Sequence, residues 1–308
     1  MGADYAGLRI IAGPTGAGKS ALALDLAERH GATIVSADSR QIYRGFDIGT
    51  AKPTLEERRR VPHEGIEIAE PTERWSAARW ADAATGWIGE AAERGQRVLV
   101  VGGTGLWLRA LVRPLADEPA MDPVRRVALQ SELAALDISA LRHWVETLDP
   151  PRAGLGRTQL LRAAEVALLT GARLSDLHAT GATKPRLAAR WLIVDPGPAI
   201  HERIETRIDA MLAAGWEDEV RALVERVPAD APAWNACGYR EIRERVEGKV
   251  TAEAARAAIV VSTRQYAKRQ RTWFRNQLSD EQAVTRLDPR ERDAPARVDR
   301  WFLKGDDA

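Results

Sequence analysis

The sequence predicts an α/β protein: a phosphate-loop (P-loop) parallel sheet core with helices on both faces and an inserted all-α domain. Three observations carry this. Gly13-Pro14-Thr15-Gly16-Ala17-Gly18-Lys19-Ser20 fits the pattern of a Gly, four free positions, then Gly-Lys-Ser, and it lies between an apolar run and a helix-like run. Short apolar runs alternate with helical periodicity around it, as in a parallel sheet. From Pro123 to about His178 only helical periodicity is found.

In chain order, Leu8 to Ala12 reads as a short buried strand. Ser20 to Arg29 reads as a helix with Leu22, Ala23 and Leu26 on one side and Gly31 past its end. Ala32 to Ala37 is a second strand, and Ile42 to Pro53 an aperiodic loop. Leu55 to Arg60 is a charged helical turn. Ser76 to Arg94 is a helix with Trp80, Ala84, Trp87, Ile88 and Ala91 on its apolar face. Arg97 to Val101 is a third strand, followed by Gly102-Gly103-Thr104-Gly105 and a helix from Leu106 to Val112. Four helices are expected at Val124–Ala135, Ile138–Thr147, Arg157–Thr170 and Arg173–His178. Strand character returns at Arg190–Asp195. Helices follow at Ala199–Leu212, Trp216–Arg226 and Thr251–Leu278, and the last thirty residues carry one short strand. The division expected is 1–115 with 185–308 as the catalytic core and 116–184 as the helical insertion.

Composition narrows the class. A hydrophobic content of 45% with 29% charged residues describes a soluble globular chain. A net charge of +1 excludes a uniformly basic nucleic-acid coat, so any such binding must be local. The single cysteine, Cys237, excludes an internal disulfide framework and fits a cytoplasmic setting. No run approaches the roughly 20 apolar residues of a membrane span, and no signal-peptide core precedes the first strand. The five histidines show no zinc spacing, so no structural metal is expected. Ten tryptophans against three phenylalanines point to core and interface packing.

The glycine-rich turn aims successive backbone N–H groups at an anion, with the positive end of the following helix behind them. Lys19 adds a point charge and Ser20 a hydroxyl that can ligate Mg²⁺. The pattern alone predicts nucleotide binding of the ATP type. Nucleoside-triphosphate hydrolases, however, pair it with a strand ending in a magnesium-holding Asp. Here the strand Val98–Val101 ends in Gly-Gly-Thr, while Asp38 and Asp195 end other strands and either could substitute. Asp38, close to the loop, is a candidate magnesium partner or general base. Gly102-Gly103 allows close backbone approach at the same edge. A second signal is the absence of acids from Ala254 to Ser279, where Arg264, Lys268, Arg271 and Arg275 recur as one helical stripe. Beside it, Ile259, Thr263, Tyr266, Gln270 and Trp273 form a stripe expected to pack on the core. Such a basic face suits a phosphate backbone.

These residues resemble the tRNA dimethylallyltransferases (tRNA isopentenyltransferases) over nearly the whole chain. The likeness runs through the phosphate loop, Asp38-Ser39-Arg40-Gln41-Ile42-Tyr43-Arg44-Gly45 and Asp47 to Pro53. It continues through Val61-Pro62-His63, Gly102 to Gly105, Gly238-Tyr239-Arg240-Glu241 and Thr263 to Gln270. The resemblance implies transfer of a dimethylallyl group from dimethylallyl diphosphate to N6 of the adenosine 3′ of the anticodon, position 37. Mg²⁺ is the implied cofactor, and the phosphate loop holds diphosphate rather than ATP. Asp38 is implied as base, with Thr104, Lys19 and Arg221 as further catalytic residues and Ser20 as magnesium ligand. Base flipping of the adenosine is implied as well. The tRNA contacts implied are Asp38, Ser39, Arg40, Gln41, Thr104, Gln159, Arg162, Gly238, Tyr239, Arg240, Arg264, Lys268, Arg271 and Arg275. The insertion would grip the anticodon stem-loop, and a monomer is expected. The chain departs from the family at Leu155-Gly156, where Asn-Asp is usual, at Gln159 in place of an arginine, and at Glu64 in place of a histidine. The alternatives are an isopentenyltransferase for free adenine nucleotides, a small-molecule kinase, and a nucleotide-switched RNA-binding module.

Overall fold

The computed structural model describes residues 7–113, 115, 119–180, 187–278 and 283–303. The strand β1 (Leu8–Ala12) is buried along its whole length, as a central strand covered on both faces must be. The chain continues through α1 (Lys19–His30), β2 (Ala32–Ser36), α2 (Leu55–Arg60), β3 (His63–Glu64), α3 (Ala77–Glu93), β4 (Arg97–Gly102) and α4 (Gly105–Val112). Four helices follow: α5 (Pro123–Ala135), α6 (Ile138–Leu148), α7 (Arg157–Thr170) and α8 (Leu174–Thr180). Then come β5 (Ala189–Val194), α9 (Ile200–Ala213), α10 (Trp216–Val224), α11 (Tyr239–Val246), α12 (Ala252–Gln277), β6 (Val284–Leu287) and α13 (Ala294–Leu303).

The strands form one sheet in the order β3-β2-β4-β1-β5-β6, parallel throughout. Beyond the elements expected from the sequence, the structure adds β3, α11 and α13. β3 is too short to show a period. α11 is a charged helix that buries only Tyr239 and Ile242. In α13, Ala294, Val298, Trp301 and Phe302 are buried at helical spacing against the sheet core. That spacing is legible in the sequence.

The chain divides into two compact units, Met1–Val112 with Leu187–Ala308, and Arg113–Arg186. The joins expected after 115 and after 184 fall at residues outside those described. The first unit is the α/β sheet with its helices. The second unit carries helices and no strand among its described residues, and its core is Leu133, Leu141, Val145, Leu160, Ala163 and Ala164. Sequence-local capping sets its helix starts: Asp122 and Asp137 accept backbone N–H bonds at α5 and α6, and Pro123 occupies the first turn of α5. The nearly buried Glu165 carboxylate is satisfied by Arg126 at 2.6 Å, Gln130 at 2.6 Å and Arg162. Among the described residues no helix is long and apolar enough to cross a membrane.

In the first unit, α12 lies against the turn after β4. A Cβ at Gly102 would fall on the Ala37 carbonyl, one at Gly103 on the Gln270 amide, and one at Gly105 on the Trp273 ring. The close approach foreseen for Gly102-Gly103 therefore serves protein packing. Gly102→Ala, which meets backbone rather than a flexible side chain, is expected to lower unfolding free energy by about 1–3 kcal/mol. Urea denaturation measures this.

Candidate active site

Three strand ends, those of β1, β4 and β2, pass into turns at one carboxyl edge of the sheet, the edge where open α/β sheets bind ligands. After β1 the chain enters the phosphate loop. Gly13 (φ 145°) and Gly18 (φ 97°) hold conformations that disfavour other residues, and a Cβ at Gly13 would fall on the Val194 carbonyl. No described residue accepts a hydrogen bond from the N–H groups of Gly16, Gly18, Lys19 or Ser20, which remain available to an anion at the start of α1. Lys19 Nζ donates to the Pro14 carbonyl at 2.8 Å. Burial and then the Arg207 cation pull its pKa down to about 8, opposed by the Asp38 carboxylate.

The turn after β2 presents Asp38. Its Oδ1 accepts the Arg40 N–H at 2.8 Å, and the Ser39 N–H donates to Thr104 Oγ1 at 3.1 Å. The Thr104 N–H in turn donates to the Ala37 carbonyl at 3.2 Å, which ties the turns after β2 and β4 together. From α9, Arg203 Nε donates to the Gly16 carbonyl at 2.9 Å. Arg207, one turn further along, forms no hydrogen bond or ion pair with another described residue and feels the Asp38 charge.

Two cavities open here. The first, about 430 Å³, joins the phosphate loop to an apolar wall of Ala23, Leu24, Ile34, Ile66 and Val101. The second, about 400 Å³, is lined by Trp216, Trp234, Ile208, Met211 and Ile259 together with Arg40, Asn235, Thr263 and Gln265. Thr15, Asp38, Thr50, Arg207 and Tyr266 line both. Asp38 thus stands between an anion cradle with an apolar extension and a flat-walled aromatic cavity with polar side chains.

This arrangement coincides with sequence kinship. The profile of a family described as IPP transferase matches residues 41–277, and one described as isopentenyl transferase matches residues 6–63. The chain is 42% identical to tRNA dimethylallyltransferase 1 of Trichlorobacter lovleyi, over 87% of this chain and 90% of that one. It is equally identical to the tRNA dimethylallyltransferase of Geobacter metallireducens, over 87% and 89% of the two chains. The chain belongs to the IPP transferase family. Among solved structures, the tRNA isopentenylpyrophosphate transferase of Bacillus halodurans is similar with a TM-score of 0.67 and 34% identity, over 97% of this chain and 96% of that one. A eukaryotic dimethylallyltransferase acting on tRNA is similar with a TM-score of 0.76 and 25% identity, over 91% and 73%.

Within this IPP transferase the expected site residues divide. Asp38, Arg40, Gly238 and Arg240 line the second cavity, and Lys19, Ser20, Asp38 and Gln41 the first. Ser39, Thr104 and Tyr239 line neither. Thr104 acts on the turn that carries Asp38. Tyr239 donates to Glu219 at 2.6 Å and accepts the Gly49 N–H at 3.2 Å, and burial first, then the Glu219 charge, push its hydroxyl pKa up. Glu219 also takes the N–H groups of Asp47 (3.0 Å) and Ile48 (2.7 Å), so Tyr239 clamps the loop rather than facing a ligand. Gln41 plays a similar part, accepting from Ser36 Oγ at 3.0 Å and donating to the carbonyls of Thr50 at 3.2 Å and Ala51 at 3.0 Å.

Several of the expected groups are engaged by partners within the protein. Arg221 sits on the exposed face of α10, paired with Asp218, and lines neither cavity. From α9, Arg207 lines both cavities and Arg203 reaches the Gly16 carbonyl of the phosphate loop. Their signal in the sequence is a four-residue spacing beside the buried stripe of Ile200, Ile204 and Ile208. Asp195 cannot serve the loop, because Arg271 holds both its oxygens, at 2.7 and 2.9 Å. The stripe on α12 is correspondingly shorter. Arg271 is bound to Asp195 and Arg264 to Glu205, which leaves Lys268 and Arg275 exposed and without an ion-pair partner among the described residues. In the helical unit, Arg162 binds Glu165, while Gln159 caps α7 through the Gly156 N–H at 3.4 Å.

The lowered pKa of Lys19 has a measurable consequence. Its ammonium is present below about pH 8 and lost above it. Pyrophosphate affinity, followed by isothermal titration, should therefore fall above pH 8 by up to about tenfold per pH unit. Lys19→Arg keeps its charge there and should remove that break.

Proposed function

We propose that the protein transfers a dimethylallyl group from dimethylallyl diphosphate to N6 of the adenosine at position 37 of tRNA, releasing diphosphate. The observation that carries this reading is Asp38 on the wall shared by the phosphate-loop cavity and the aromatic cavity. The names of the relatives at 42% identity support the same reaction class and the same acceptor.

In this reading the diphosphate lies on the N–H groups of Gly16, Gly18, Lys19 and Ser20, with the Lys19 ammonium and Arg207 beside it. The five-carbon chain extends along Ala23, Leu24, Ile34 and Ile66. Flipped adenine enters the second cavity between apolar and aromatic walls. The lone pair of N6 is delocalised into the ring, so attack needs proton removal. Asp38 takes the N6 proton as the N6–C1 bond forms and the C1–O bond to the diphosphate breaks with its electron pair. The fixed cations and loop dipoles stabilise the negative charge that develops on the leaving group. Because the loop N–H groups belong to backbone set by Gly13, Gly18 and the start of α1, they need little reorganisation during the reaction.

The donor set also fits Mg²⁺. Among the described residues no three His, Cys, Asp or Glu side chains converge into a metal cage. Mg²⁺ is commonly held by one or two protein oxygens, water and phosphate oxygens, and Ser20 Oγ at the loop suits that mode. Bound there, the ion would neutralise diphosphate charge. Lys268 and Arg275 give α12 two free cations for a phosphate backbone. Arg40 and Arg240 stand at the aromatic cavity, and the implied grip of the helical unit on the anticodon stem-loop rests on the family resemblance.

The discriminating measurement supplies labelled dimethylallyl diphosphate with unmodified tRNA, with AMP, or with no acceptor. Label is expected on tRNA; label on AMP alone would defeat the reading. Asp38→Ala is expected to cut turnover by about 10²–10⁴ while donor binding stays close to that of the parent. Unchanged turnover would remove Asp38 as base. The pair Lys268→Ala and Arg275→Ala should weaken tRNA binding and reduce the slope of log affinity against log salt by about 1.4–1.8. An unaltered slope would mean that Lys268 and Arg275 only face solvent.

A further inference from the structure

We propose that Gln270 is a specificity-determining residue that shortens the phosphate loop, so that it accepts a diphosphate and refuses a triphosphate. The proposal rests on the diphosphate-donor reading above. In nucleoside-triphosphate hydrolases the same loop cradles the outer two phosphates of a triphosphate, so sequence pattern alone does not separate the two ligands.

The donors along this loop run from Thr15 at the β1 end to Ser20 in the first turn of α1. At the β1 end, the Thr15 N–H is taken by Gln270 Oε1 at 2.8 Å. The other end of the same amide donates through Nε2 to the Gly103 carbonyl at 2.9 Å. Both partners have fixed roles, an N–H that can only donate and a carbonyl that can only accept, so the amide has a single orientation. Gln270 is buried, and it lines the first cavity. Ala17 N–H is also spent, on the Pro14 carbonyl at 3.3 Å. From Thr15 on, the donors left are that of Gly16, between the two spent groups, and those of Gly18, Lys19 and Ser20 at the start of α1.

A third phosphate reaching past them toward β1 would find no free N–H at Thr15. It would meet the Gln270 carbonyl oxygen, an acceptor facing an anion. Gly103 makes room for this amide, because a Cβ there would fall on Gln270 Nε2. The block therefore depends on two residues from separate parts of the chain, Gln270 on α12 and Gly103 after β4. Either can be changed alone.

The test is isothermal titration of inorganic pyrophosphate and inorganic tripolyphosphate, with Mg²⁺, on the full-length parent, Gln270→Ala and Gly103→Ala, with prenyl transfer by the parent assayed in parallel. The parent should favour pyrophosphate by roughly tenfold or more, the scale of one unpaired buried polar group. Each variant should shift the ratio of the two affinities toward tripolyphosphate by roughly the same factor. A purely structural role would weaken both ligands together and leave the ratio unmoved. No preference in the parent, or an unmoved ratio in whichever variants fold, overturns the inference. A parent that shows the preference but transfers no prenyl group from dimethylallyl diphosphate overturns the donor reading instead.

Discussion

Helix α12 reaches the carboxyl edge of the sheet because Gly103 and Gly105 carry no side chains where Gln270 and Trp273 approach. Much of the site follows from that contact. Gln270 bridges the phosphate loop and the turn after β4, Tyr266 looks into both cavities, and Arg271 pins Asp195 beside the end of β5. The same helix keeps Lys268 and Arg275 exposed. One element thus carries an outward face suited to a polyanion and an inward face that shapes the anion cradle.

A second constraint holds the long loop after β2. Lys52, with its side chain almost wholly buried, bonds to Asp47, to Glu67 at 3.3 Å and to the Tyr43 carbonyl at 2.7 Å, while Arg58 holds the other Glu67 oxygen at 2.7 Å. A buried ammonium left unpaired would be costly, so this loop is determined by its charges as much as by Phe46 and Ile42 in its core. Ala51 (φ 48°) and Glu67 (φ 56°) are the two non-glycine residues in left-handed backbone among those described, and both adjoin this cluster. Local strain here is sustained by surrounding hydrogen bonds, as it often is beside functional cavities. The specific string from Asp38 to Pro53 therefore serves scaffold and site together: Asp38 and Thr50 line both cavities, and Arg40, Gln41, Gly49, Ala51, Lys52 and Pro53 line one each.

Much of this protein could be read before its fold was seen. Apolar runs that must be buried on both faces marked β1, β2, β4 and β5, and apolar stripes of helical spacing marked α1, α3 and α9. Gly13 to Ser20 carries its own geometry, because glycine backbone and a following helix are local properties. Asp38 at a strand end was legible for the same reason. Elements stabilised mainly by tertiary contact were harder. β3 is two residues long, and α11 is held by Tyr239 packed beside Phe46 and Trp216 rather than by a broad apolar face.

Charged side chains mark the boundary between the two kinds of information. The sequence by itself determined that a phosphate cradle exists, that Asp38 lies near it, and that α12 is basic, since spacing along one element settles each. Only the tertiary structure decided which charges are free. Arg264 and Arg271 find carboxylates distant in the chain, Arg221 pairs on the surface, and Arg207 is left facing the cavity beside Asp38. A guanidinium's availability depends on which carboxylate the fold brings within a few ångströms, and periodicity carries no record of that distance.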